Sequence, residues 1–206
     1  GQAHKVLEEV SGVDEWKRIF PKVAPNVISH HIGQENEPAS LVIEHLPGCT
    51  LESMLLNHQW DSAHLLLGRL ATTLRKIWKL SWTRERPEPG YMDQLRKRMP
   101  ETHRTHPTLF STGQTVCGLS RPDFGELINL TRRMEHHVRA PISVLIHGDF
   151  NVDNLLYDDL KDRIYFIDLH RASYSDYVQD LSVLMVSIYR LPIMDSGARA
   201  EMMQLI

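Results

Sequence analysis

Four side chains in one short stretch carry groups suited to phosphate chemistry. The stretch reads Val144-Leu-Ile-His147-Gly148-Asp149-Phe150-Asn151-Val-Asp-Asn154-Leu-Leu-Tyr157 and closes at Phe166-Ile167-Asp168-Leu169-His170-Arg171. An Asp carboxylate and an Asn carbonyl are hard oxygen ligands of the kind Mg²⁺ takes, alongside water and substrate phosphate oxygens. With Asn154 and Asp168 assigned to such a cation, Asp149 is left to accept a proton from an attacking hydroxyl. A base, a metal-binding amide five residues on and a later metal-binding carboxylate are the set used in kinase phosphoryl transfer.

Those groups need a scaffold that brings them together. Val144 to Ile146, Leu155 to Tyr157 and Ile164 to Ile167 are short runs rich in β-branched and apolar residues, and each reads as a strand. Asp158, Asp159, Lys161 and Asp162 supply a turn between the last two. A hairpin of this kind returns Asp168 to the side of Asn154. The plainer alternative is a polar turn rich in Asp and Asn with no chemistry attached.

The pattern His147-Gly148-Asp149-x-x-x-x-Asn154, followed by Ile167-Asp168, resembles the signature of the aminoglycoside phosphotransferase and choline kinase superfamily, a group of protein-kinase-like small-molecule kinases. Gly148 stands where protein kinases have Arg, and Leu169-His170 replaces Phe-Gly after the second Asp. The resemblance implies an α+β, protein-kinase-like two-lobed fold. Residues 1–46 would be the remainder of a truncated small nucleotide-binding lobe, and 47–206 a mainly helical large lobe containing the catalytic β-hairpin. It implies ATP and Mg²⁺ as cofactors and transfer of the γ-phosphoryl group to a hydroxyl of a small molecule. Asp149 would be the base, Asn154 and Asp168 the metal ligands, and His147 would orient the loop.

Further residues follow from the same resemblance. Leu41-Val-Ile-Glu44-His45-Leu46-Pro-Gly48 is similar to the hinge between the lobes, where the backbone of Glu44, His45 and Leu46 would meet the adenine edge. A crossing segment suits that work because its backbone groups are not spent on a strand ladder. Tyr177-Val-Gln179-Asp180 implies that Asp180 braces the catalytic-loop backbone. Relatives also carry a phosphate-gripping Lys paired with a Glu on the following helix. If residues 3–20 are that helix, Glu8 or Glu9 is the partner. No Gly-rich turn and no strand-borne Lys precede it, so the resemblance implies further strands ahead, helices beyond Ile206, and weak nucleotide binding and turnover for residues 1–206 alone. The competing class is a kinase-like binding or regulatory module without turnover.

Bulk composition narrows the partners. The chain is 42% hydrophobic and 24% charged with a net charge of −3, an ordinary balance for a globular protein and no attraction for nucleic acid. No apolar run reaches membrane-spanning length, and Cys49 and Cys117 lack metal spacing, so a cytoplasmic protein without a membrane partner is expected. Arg69 to Arg139 holds 14 Lys/Arg against 7 Asp/Glu, whereas Asp149 to Asp180 holds 3 against 8. The acidic block matches the metal loop. The basic one reads first as a solvated helical surface and otherwise as a face for an anionic partner, and the charge map leans the acceptor towards a neutral or anionic molecule, such as a sugar or sugar phosphate, over a polycationic aminoglycoside. Twelve histidines raise the question of zinc, but the pairs His30/His31 and His136/His137 point apart, and His103 and His106 lack partners at zinc spacing.

The remaining elements follow from periodicity. A helix is expected over 3–20, interrupted at Gly12, and strands over Val27 to Ile32 and Ser40 to Glu44 across a turn from Gly33 to Ala39. Thr50 should cap a short helix to Asn57, and Asp61 a longer one to Leu80 with Ala63, Leu66, Leu67, Leu70, Leu74, Ile77 and Trp78 inward. Residues 83–122, rich in proline, read as an irregular insertion with one helical patch from Tyr91 to Met99. A helix over Phe124 to Val138 should turn Leu127, Leu130 and Met134 inward, and Asp180 to Tyr189 should be a helix buried all round.

Overall fold

The structure, a computed structural model, describes residues 2–33, 38–88, 90–110, 115–120, 122–135 and 137–205. Helix α1 (Gln2–Ile19) buries Glu9, Val13 and Trp16, three positions that share one helical face. Gly12 does not interrupt it. A Cβ on Gly12 would lie 2.1 Å from the carbonyl oxygen of Leu169, so the helix can approach that segment only with glycine there. Strands β1 (Val27–His31) and β2 (Ser40–Ile43) pair antiparallel, from Val27 opposite Ile43 to His31 opposite Ser40. Part of the turn expected between them, at 34–37, lies outside the described residues.

An extended segment leads from β2 to Gly48, whose φ of +104° belongs to the left-handed region and whose missing Cβ leaves room for the Tyr157 carbonyl. Strand β3 (Cys49–Thr50) then meets α2 (Leu51–Leu56), with the Thr50 hydroxyl accepting from Ser53 N at 3.1 Å as an N-cap. Helix α3 (Trp60–Ser81) buries Ala63, Leu66, Leu70, Leu74 and Ile77 along one stripe, with Leu67 and Trp78 partly covered beside it. Asp61, expected as its cap, sits inside the first turn, and Gln59 holds the cap position without a side-chain bond.

Residues Glu85–Pro141 form a compact unit of their own, and the segments before and after them form another. The contacts thus set apart a unit that includes most of the proline-rich insertion. The insertion is more regular than its prolines suggest. Helix α4 (Tyr91–Thr105) runs past Met99 with Pro100 inside it and buries none of its residues. A hairpin of β4 (Thr115–Val116) and β5 (Leu119–Ser120) follows, then α5 (Phe124–Glu135). Leu127, Leu130 and Met134 do not point inward; they are 41–55% exposed, and Ile128 is the buried residue of α5. A unit this small has too little interior to cover a three-residue stripe. Its packed centre is aromatic, with ring centroids 5.2 Å apart for Phe110 and Phe124 and 4.8 Å apart for His103 and Phe110.

The larger unit resumes at β6 (Val144–Ile146), followed by β7 (Leu155–Asp158), β8 (Arg163–Phe166), β9 (Ser173–Ser175), α6 (Tyr177–Tyr189) and α7 (Ser196–Gln204). β3, β7 and β8 make one antiparallel sheet, and β6 pairs with β9 in another. Trp16, Phe150 and Phe166 are fully buried in edge-to-face contact, at centroid separations of 5.2 and 5.4 Å. Helix α6 is buried on one side only, through Asp180, Leu184, Ser187 and Ile188. Val178, Met185, Val186 and Tyr189 are at least half exposed, because apolar composition alone does not put a partner on every side of a helix. The fold is α+β. No described helix is long and apolar enough to cross a membrane, and both cysteines are free and exposed.

Candidate active site

The β7–β8 hairpin sets the geometry. Leu155 lies opposite Phe166, so Asn154 and Ile167 flank the open end, where Ile167 N donates to Asn154 O at 3.2 Å. Asp168 follows at once, in the left-handed region at φ +60°. Asn154 is buried, and its Nδ2 donates to Asp149 O at 2.8 Å, which makes the carbonyl Oδ1 the atom able to ligate a cation. Asp149 accepts from Asn151 Nδ2 at 2.8 Å through Oδ1, and its Oδ2 lies 3.4 Å from Arg171 Nη1. Gly148 makes that crossing possible: its φ is +80°, and a Cβ would stand 2.3 Å from the Arg171 carbonyl oxygen.

Two buried groups hold the loop from behind. His147 accepts from Asp149 N at 3.3 Å through Nδ1, while Nε2 lies 2.9 Å from the Ile167 carbonyl, which can only accept and so fixes the proton on Nε2. Burial pushes the imidazole pKa down to about 4, so His147 is neutral and ties the loop to the segment of Asp168. Asp180, fully buried at the start of α6, accepts from His147 N at 2.7 Å and Gly148 N at 2.9 Å. Burial raises its pKa to about 6, against the lowering effect of those two amides.

Helix α1 supplies the facing wall. Glu8 is exposed and pairs with His4 at 2.9 Å, whereas Glu9 is buried. Burial raises the Glu9 carboxyl pKa, opposed by the Leu169 amide and reinforced by the charge of Asp168. Three residues that the motif did not single out complete this wall. His170 Nδ1 is 2.8 Å from Asp168 Oδ1, Lys5 Nζ is 3.5 Å from the same oxygen, and Arg171 faces Asp149. His170 was detectable as a ligand-type residue two positions after Asp168. Lys5, a surface-type lysine one turn ahead of Glu9, carried no signal of its own.

The residues expected at the hinge follow directly on β2. Glu44 N donates to Asn26 O at 2.8 Å, and Glu44 Oε2 accepts from Asn26 N at 3.1 Å, so its side chain closes the end of the β1–β2 pair. His45 is exposed and Leu46 buried. A cavity of about 310 Å³ opens between α1, β2 and the Ile167–Asp168 segment, lined by Lys5, Val6, Glu9, Leu41, Ile43, Ile167 and Asp168. Its walls are apolar and its carboxylates lie together. Asn154 and Asp168 offer only hard oxygen atoms, and the Asp168 side chain is 38% exposed, so the pair fits Mg²⁺ with room for water and phosphate.

Residues 9–200 match the profile described as the phosphotransferase enzyme family, APH. The chain belongs to that family. No curated protein sequence matches it. The fold of this phosphotransferase-family chain is similar to that of aminoglycoside phosphotransferase APH(3'')-Id from Streptomyces rimosus in complex with ADP and streptomycin, with a TM-score of 0.61 and 17% identity over 99% of this chain and 74% of the other. It is similar to the type VIII aminoglycoside-3'-phosphotransferase, at a TM-score of 0.57 and 19% identity over 98% and 72%. A glucosamine kinase matches at a TM-score of 0.53 and 15% identity, over 95% of this chain and 54% of the kinase. Identities this low carry the kinase-like fold and not a substrate.

Proposed function

We propose that the protein transfers the γ-phosphoryl group of ATP to a hydroxyl of a small molecule. The observation that carries this reading is the convergence of Asp149, Asn154 and Asp168 at the open end of one hairpin, in a chain of the phosphotransferase enzyme family. ATP is the donor on the analogy of the similarly folded Streptomyces rimosus enzyme, which holds ADP. The acceptor oxygen forms a bond to the γ-phosphorus as the bond to the β,γ-bridging oxygen breaks and ADP leaves. The acceptor's proton passes to a carboxylate oxygen of Asp149, the only carboxylate of the three not assigned to the metal. Arg171 and Asn151 hold that carboxylate in place, and neutral His147 with Asp180 keeps the loop rigid behind it.

Asn154 and Asp168 would hold Mg²⁺, which when bound supplies neutralisation of the phosphate charge. Residues 1–46 would cover the nucleotide and 47–206 carry the chemistry, with the backbone of Glu44 to Leu46 at the adenine edge. A neutral or anionic acceptor remains the preferred class, on the charge map. The decisive experiment is nucleotide titration with and without Mg²⁺ on Asp149→Asn and Asp168→Ala, with turnover measured in parallel. Asp149→Asn is expected to bind Mg·ATP and lose turnover, and Asp168→Ala to lose Mg-dependent binding. Equal loss of binding in both would overturn the assignment. Turnover of kanamycin-like compounds, with none of sugars, would overturn the acceptor class alone.

A further inference from the structure

The turn end of the β7–β8 hairpin, opposite the end that carries Asn154 and Asp168, borders a second cavity that the phosphotransfer reading does not use. Its volume of about 520 Å³ lies in the range of small-molecule sites. Buried Met54 and Tyr157 and half-buried Trp60 give it an apolar wall, and the His58 ring lies 5.3 Å from the Trp60 ring between centroids. The Tyr157 hydroxyl donates to Asp162 at 2.7 Å, which leaves that residue no free donor for a ligand. Asp61 and Asp159 also line the cavity. Both are exposed, and neither takes part in an ion pair among the described residues. No Lys or Arg lines it. A wall that is aromatic and negatively charged disfavours an anion and favours a cation with a planar or apolar body.

His58 is held there against its backbone preference. It follows the C-cap of α2 at φ +56°, with its own N–H donating to Leu55 O at 3.2 Å and Gln59 N donating to Met54 O at 2.8 Å. Glycine normally fills this position of a helix ending, because a Cβ is strained in the left-handed region. The imidazole kept in its place stands beside Trp60 at the cavity. We propose that this cavity binds a small molecule carrying a guanidinium group, stacked on the aromatic wall of His58 and Trp60 and paired with Asp61 and Asp159. A guanidinium is planar, weakly hydrated and presents its donors in a fork that matches a carboxylate, whereas an ammonium is a strongly hydrated point charge. None of these residues belongs to the proposed phosphotransfer site, so the proposal stands or falls apart from that reading.

The test is calorimetric titration of the purified chain with butylguanidinium at low salt and without nucleotide. The cation should bind at one site and weaken as salt is added, and neutral butylurea, of the same shape, should not bind. Trp60→Leu should weaken binding roughly five- to thirtyfold, the range of a desolvated cation–π contact. Asp61→Asn combined with Asp159→Asn should weaken it roughly tenfold, and His64→Gln, at an exposed position of α3, should leave it unchanged. His58→Gly should keep or raise the melting temperature, because it relieves the left-handed backbone, and still weaken binding several-fold. Circular dichroism reports whether each variant folds; the two Asp positions are exposed, so their variant decides the matter if Trp60→Leu does not fold. No binding to the wild type, equal binding of butylurea, or full affinity in either folded variant overturns the site. Butylammonium binding as tightly as butylguanidinium overturns the guanidinium class. Full affinity in His58→Gly overturns the part given to His58.

Discussion

Asp180 and Glu135 each receive two consecutive backbone amides, in opposite surroundings. Asp180 takes those of His147 and Gly148 with no exposure at all, at 2.7 and 2.9 Å. Glu135 takes those of Tyr91 and Met92 at 2.7 and 3.2 Å, at the start of α4 in the Glu85–Pro141 unit, where solvent still reaches it. Around Asp180 the loop is backed by Phe150, Phe166 and Trp16 and cross-tied by His147. The smaller unit buries Ile128 and little else along its helices. Chemistry that depends on placing a carboxylate against a reacting hydroxyl needs the first kind of surroundings. A segment that shapes contacts to a variable partner can work with the second.

Truncation should expose that difference most. Phe150→Ala opens a cavity beside Trp16 and Phe166 and should cost about 3–5 kcal/mol, whereas Leu130→Ala, at a half-exposed position of α5, should stay within about 0.5 kcal/mol. Denaturant unfolding of both variants measures this, and similar losses would mean the smaller unit has a core of its own.

Next in size is the pair of carboxylates. Asp180→Ala leaves two buried amides unpaired at about 1–3 kcal/mol each, while Glu135→Ala lets water replace the lost cap for about 0.5–1 kcal/mol. Melting temperatures compare them directly. Equal shifts would place Glu135 in a more enclosed setting than its exposure indicates.

Gly12→Ala tests how close α1 must lie to the segment around Leu169. The added Cβ meets the Leu169 carbonyl, an overpacking worth about 1–3 kcal/mol. It should lower the melting temperature and weaken Mg·nucleotide binding together. Gly68→Ala, in open space on α3, should do neither.

The smallest effect is a matter of pH. The unfolded chain protonates His147 near its ordinary 6.5, but the folded chain only near 4, so His147 contributes stability that is present above 6.5 and is lost as pH falls to about 4. Asp180 acts in the other direction. Its folded carboxyl keeps a proton up to about pH 6, against an ordinary 3.8, so its contribution is complete below 3.8 and lost as pH rises to 6. The slopes oppose each other between pH 4 and 6. Asp180→Asn should therefore steepen the fall of melting temperature towards acid, and His147→Gln should flatten it. Parallel profiles for both variants and the wild type would show that neither group titrates as its burial requires.

The β7–β8 hairpin, the Thr50 cap and the α3 stripe were legible in the chain because they are local. Strand runs, turn residues and a 3.6-residue period report on neighbours a few positions apart, and the motif from His147 to Asp168 packs its chemistry into one hairpin. Exposure was not legible. The stripes of α5 and α6 have the period of buried faces, yet Leu130 and Met185 are open, because a period states which residues share a face and not whether anything covers it. The choice between Glu8 and Glu9 has the same origin: adjacent residues of one helix differ only in what lies opposite, and Gly12 packing on Leu169 turns Glu9 inward. His170 and Lys5 gained their place beside Asp168 in the same way. Side-chain type and spacing set which chemistry the chain could support, and long-range packing set which of those side chains meet, since contacts between residues more than 150 positions apart leave no local trace.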